Sequence, residues 1–107
     1  MTSQLPLNSL ERSKYEYDLF IKAMVKWGKA SQMAMLAEEC SELSHAVLKM
    51  IRGREVNIAE EIADVLLTIN QFYTMFEGLE IKVKREYIDK IERLDKRIKQ
   101  ALQSTEE

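Results

Sequence analysis

Two short acidic segments hold the residues best suited to chemistry. Glu38-Glu39-Cys40-Ser41-Glu42-Leu43 and Glu60-Glu61-Ile62-Ala63-Asp64-Val65 repeat one pattern: paired acids, another acid three residues on, then an aliphatic residue. At about 100° per residue of helix, Glu39 borders an apolar stripe of Leu36, Cys40 and Leu43, with Glu42 roughly 60° further round. Glu61 and Asp64 stand in the same relation to Ile62 and Val65. If the two helices pack antiparallel about a turn at residues 52–56, then Glu39, Glu42, Glu61 and Asp64 converge on one small volume. Carboxylates partly removed from water raise one another's pKa, and neither motif contains a basic residue to offset them. A divalent cation supplies the missing charge. All-oxygen donors suit Mg²⁺ or Mn²⁺ better than zinc, and Mg²⁺ commonly completes its shell with waters and substrate phosphates, so phosphoryl chemistry is the implied class. One pair of acids three apart is ordinary on a solvated helix; the repeat and its inward placement set this case apart.

Four helices are expected to position these residues. Gly28, Gly53 and Gly78 fall at nearly regular intervals, as stops between long periodic segments. The first helix is expected near Ser13, where Ser13-Lys14-Tyr15-Glu16 has capping-box spacing, with Tyr17, Phe20, Ile21, Met24 and Val25 as its apolar face. The second is expected over about 31–52, with a stripe of Leu36, Cys40, Leu43, Val47 and Met50. The third starts at a capping Asn57, with Glu60 reaching back, and carries Ile58, Ile62, Val65, Leu66, Ile69, Phe72, Tyr73 and Phe76. The fourth, about 80–102, places Tyr87, Ile91, Leu94, Ile98 and Ala101 at alternating steps of four and three, the spacing of a coiled-coil seam. Short connectors imply antiparallel neighbours, and no strand-like alternation competes, so the class is an all-α antiparallel bundle of about four helices.

Composition bounds the rest. The chain has 107 residues, 46% hydrophobic and 32% charged, which suits a single domain over 1–107 with flexible ends at 1–9 and 103–107. A net charge of −2 provides no basic field for nucleic acid or anionic lipid, so a phosphate-bearing partner must be held locally. One cysteine, Cys40, excludes an intrachain disulfide, and no run suggests a signal peptide or a membrane span, so a cytoplasmic setting is expected. So small a core is expected to be completed by oligomerisation.

The acidic segments resemble the MazG-like, all-α nucleoside triphosphate pyrophosphohydrolases, whose signature is EExxE followed by ExxD. Here these read Glu38-Glu39-Cys40-Ser41-Glu42 and Glu61-Ile62-Ala63-Asp64, and the likeness runs from about Gln32 to Ile98. The resemblance implies that Glu39, Glu42, Glu61 and Asp64 ligate Mg²⁺ and that Glu38 or the ligand Glu39 orients or deprotonates the attacking water. It also implies release of pyrophosphate and a nucleoside monophosphate from a (d)NTP, in a nucleotide-pool cleansing role. The physical rationale is that Mg²⁺ bridges phosphate oxygens, neutralises developing charge and acidifies water. By the same resemblance, Trp27 and Gln32 sit where a base pocket is built, with stacking by Trp27 and a hydrogen bond from Gln32, although core packing is the role expected first for Trp27. In the last helix many members carry Lys-x-x-x-Asn-x-x-Arg; Lys90 and Arg97 match, while Leu94 replaces the Asn. Lys90, Arg93 and Arg97 share a face and can hold a triphosphate as charge-assisted donors, or form an ordinary solvated edge. A homodimer or homotetramer is the implied assembly.

Three alternatives use the same residues differently. A dUTP- or dCTP-directed relative would have a narrower pocket. A non-catalytic helical interaction module would leave the acids solvated and use the seam of the last helix. A di-iron carboxylate bundle is suggested by Glu42-x-x-His45, but it needs a second such motif and the chain has one histidine. His45 is therefore assigned a surface position and no role. Arg52 and Arg54 flank the turn as solvated or phosphate-facing groups, and methionines such as Met24, Met33, Met35 and Met50 suit core filling.

Overall fold

The computed structural model describes the backbone of residues 9–106 and the side chains of residues 13–104. Among the described residues the chain is all-α, with helices α1 (Ser9–Trp27), α2 (Lys29–Ile51), α3 (Ile58–Met75) and α4 (Leu79–Glu106) and no strand. It divides into two compact units, one ending at Phe76 and the other beginning at Glu77. The first holds α1–α3, in which α2 and α3 share the most extensive interface and α1 packs against both. The second is α4. Most of the expected flexible start lies outside the described residues, and the helix of α4 continues through residues 103–106.

Each expected stop is a glycine with positive φ. At Gly53 the hydrogen bonding shows why: with φ at 77°, its N–H donates to the Met50 carbonyl at 3.0 Å, and the Arg54 N–H donates to the Lys49 carbonyl at 2.9 Å. This is the Schellman pattern, which satisfies carbonyls that the helix end would orphan and needs a residue without a Cβ penalty in the left-handed region. The start of α3 is fixed by Asn57, whose Oδ1 accepts from the Glu60 N–H at 3.2 Å. Glu60 does reach back, but its carboxylate accepts from the Asn57 side-chain amide at 3.2 Å. Between these caps the chain reverses. The reversal is tied down at the far end, where the Lys29 ammonium at the start of α2 lies 5.9 Å from the Phe76 ring centroid after α3, a cation–π contact.

Two expectations need correction. Helix α1 starts at Ser9, ahead of the Ser13 capping box, because Leu10, Glu11 and Arg12 are good helix formers and nothing in them forces a later start. The buried stripes are also rotated from those expected. On α2 the inward positions are Gln32, Leu36, Glu39, Leu43 and Ala46, whereas Cys40, Val47 and Met50 are exposed. On α3 they include Glu61, Asp64, Val65, Thr68, Phe72 and Met75, with Ile62 and Leu66 exposed. On α1, Phe20 is buried while Tyr17 is exposed and Val25 is 78% exposed. The reason is that α2 and α3 carry apolar residues on both faces, so hydrophobicity does not select one, and the line that packs mixes Gln32, Ala46 and Thr68 with Leu36, Leu43, Phe72 and Met75. The burial of Thr68 carries no hydrogen-bond penalty, since its hydroxyl donates to the carbonyls of Val65 at 2.9 Å and Asp64 at 3.1 Å.

Candidate functional site

The rotated stripes put acids where a core would be apolar. Glu39 stands on the inward line of α2 between Leu36 and Leu43, and Glu61 and Asp64 take equivalent places on α3. Ligand atoms of Glu39, Glu42, Glu61 and Asp64 all lie within 4.8 Å of one another, with Glu42 exposed and the other three half-buried. The expected convergence of the two acidic motifs is thus present in the geometry.

This arrangement is costly without a counter-charge. Glu39 has its carboxyl pKa raised above the ordinary 4.5, first by burial, then by the charges of Glu42 and Asp64, a hydrogen bond with the Glu42 side chain and the charge of Glu61. Glu39 Oε2 and Glu61 Oε2 are buried without a hydrogen-bond partner. Carboxylate oxygens buried without a hydrogen-bond partner fit the donor set of a cation. Opposite ligands of an octahedral Mg²⁺ stand about 4.2 Å apart, so this spread is a few tenths of an ångström wider than one such shell, a difference that side-chain adjustment covers. No histidine belongs to the cluster, which argues against a di-iron centre.

Of two grooves in the first unit, one shares Glu42 and Glu61 with the acid cluster. A polar one of about 360 Å³ lies at the α2–α3 turn, lined by Glu42, His45, Lys49, Glu55, Asn57 and Glu61 among others. An apolar one of about 550 Å³ runs between α1 and α3, with Leu19, Phe20, Trp27, Leu67 and Gln71 in its walls and Lys22 and Lys26 beside them. Trp27 is 63% exposed here, so it is no core residue, while Gln32 is only 3% exposed and donates to the Met35 sulfur at 3.7 Å. Gln71, which sequence reasoning did not single out, has a buried Oε1 with no hydrogen-bond partner. Its signal was available in the register: Gln71 follows Asp64 by two helical turns and so continues the same face. Glu38 is exposed and lies outside the cluster. Lys90, Arg93 and Arg97 are exposed along α4, in the second unit.

Such a centre defines an all-α protein whose paired helices present carboxylates in the manner that suits a hard divalent cation. The MazG nucleotide pyrophosphohydrolase domain family matches the chain over residues 28–100, and the protein belongs to that family. The match takes in both acidic motifs, all of α2 and α3 and most of α4. No curated protein and no solved structure matches the chain. Among the described residues, no helix is long and apolar enough to cross a membrane.

Proposed function

We propose that this protein is a Mg²⁺-dependent nucleoside triphosphate pyrophosphohydrolase that converts a (d)NTP to (d)NMP and pyrophosphate, in a cytoplasmic nucleotide-cleansing role. The observation that carries the reading is the four-carboxylate cluster within a chain of the MazG family. Glu39, Glu42, Glu61 and Asp64 would hold the cation; Mn²⁺ suits the same donors. When bound, the cation supplies neutralisation of phosphate charge and acidification of water.

The chain's own residues do the positioning. Glu39, with its raised carboxyl pKa, and the exposed Glu38 are the groups assigned to orient the attacking water or take its proton. The α1–α3 groove, in the size range of small-ligand pockets, is assigned the base, with Trp27 offering a stacking face. Gln32, buried on α2, is assigned a hydrogen bond to the base. Lys90, Arg93 and Arg97 are assigned to the triphosphate as charge-assisted donors. A second copy of the chain is the proposed macromolecular partner, supported by the exposed apolar seam of α4.

The test is a panel of natural and damaged (d)NTPs with Mg²⁺, scoring pyrophosphate against orthophosphate, for wild type and Glu39→Gln. Turnover to pyrophosphate that drops at least ~100-fold in the variant is expected, on the scale of losing a general base or ligand. Absence of turnover across the panel, or activity indifferent to the substitution, overturns the assignment.

A further inference from the structure

Along α2 and α3 the acids fall between the residues of two grooves that differ in chemistry, and that order gives the site a direction. Leu67 and Gln71 follow Asp64 on α3 by one and two turns and wall the apolar groove. On the opposite side, His45 and Lys49 follow Glu42 on α2 by one and two turns, about 4.5 and 10.5 Å along the axis, and wall the polar groove. Glu42 and Glu61 belong both to the acid cluster and to the polar groove, so a ligand held at the cluster extends directly into it.

Lys49 is the key residue there. Glu42, Glu55 and Glu61 line the same groove, yet among the described residues Lys49 makes no ion pair with any of them. It is the ammonium that the groove's own lining offers to an anion. The groove carries more negative than positive charge, so an anion is welcome only when a cation already occupies the carboxylates. These features suit a phosphate tail bridged to that cation.

Resting on the pyrophosphohydrolase reading, we propose that the leaving pyrophosphate lies in the groove at the α2–α3 turn, bound by the Lys49 ammonium with His45 as a second donor. The scissile bond then sits over the acids and the base points toward Trp27 and Gln71. Lys49 and His45 thereby add donors from the carboxylates' own element, α2, to the phosphate-binding groups already assigned.

Calorimetric titration of inorganic pyrophosphate into the full chain with Mg²⁺ tests this directly. Lys49→Ala is expected to weaken pyrophosphate binding at least about tenfold, the scale of one charge-assisted contact, and Lys49→Arg to restore most of it. Affinity for Mg²⁺ alone and for a nucleoside monophosphate should stay within about twofold, since neither uses the tail groove. Pyrophosphate binding unchanged in Lys49→Ala, or undetectable in the Mg²⁺-loaded wild type, overturns the proposal. So does a combined Lys90→Ala, Arg93→Ala, Arg97→Ala variant that abolishes pyrophosphate binding while Lys49→Ala retains it. Lys49-dependent pyrophosphate binding without turnover of any triphosphate supports the subsite and overturns the hydrolytic reading instead.

Discussion

At the scale of single residues, Glu39 concentrates the conflict between folding and function. Its carboxyl holds a proton at pH values where the unfolded chain has already lost it, so the folded state binds more protons just above pH 4.5. By linkage, metal-free stability should therefore fall as pH rises from about 4.5 through the raised folded-state value and level off beyond it. Glu39→Gln should flatten that segment of the curve and raise the metal-free melting temperature at neutral pH. Mg²⁺ should reverse the order. A cation at about one hundred times its Kd adds roughly 2.7 kcal/mol to the wild type, and much of this is lost once a ligand is removed. Thermal melts of both proteins from pH 4 to 8, in chelator and in Mg²⁺, check all three signs. A wild-type curve that rises with pH in chelator would contradict the repulsive cluster. The type and spacing of these acids were readable in the sequence because carboxylates three apart announce themselves; of Gln71 only its place on the Asp64 face was readable, and its buried, unpaired Oε1 is seen in the structure alone.

At the scale of elements, the α2–α3 reversal decides whether the two motifs meet. Its two caps can be weakened separately. Asn57→Ala removes the acceptor for the Glu60 N–H and should cost about 1 kcal/mol. Gly53→Ala meets no steric neighbour, so its cost is the left-handed backbone alone, about 1–2 kcal/mol. Chemical denaturation gives both values, and a Gly53→Ala protein as stable as wild type would refute the Schellman assignment. Helix existence and both caps were legible because glycine and asparagine mark chain reversals through their own backbone chemistry. The facing of the helices was less so. Counting apolar residues favours Cys40, Val47 and Met50 on α2, yet the inward line runs through Gln32, Glu39 and Ala46. Hydrophobicity alone orients a helix only when one face is apolar, and α2 and α3 carry apolar residues on both.

At the scale of the whole molecule, those outward apolar residues are the unfinished part of the fold. Among the described residues only Phe20, Ala46 and Met75 form a buried apolar core, whereas Ile62 and Leu66 on α3 and Tyr87, Ile91, Leu94 and Ile98 on α4 remain exposed. A single small core seldom supplies more than about 3–5 kcal/mol, so stability is expected to depend on covering these faces. The step of four and three along α4 fits a helix of a second copy better than scattered contacts, and its i,i+4 ion pairs, Lys84–Glu80 and Lys99–Asp95, lie on exposed side chains that leave the seam itself apolar. If a second copy covers the seam, the melting temperature must rise with protein concentration, because association is then part of the folding equilibrium. Sedimentation velocity should show a dimer or tetramer, and Ile91→Asp with Ile98→Asp should lower the mass and remove the concentration dependence. A wild-type chain that sediments as a monomer across a roughly hundredfold concentration range, with a constant melting temperature, would rule out self-association as the means by which this small fold is completed.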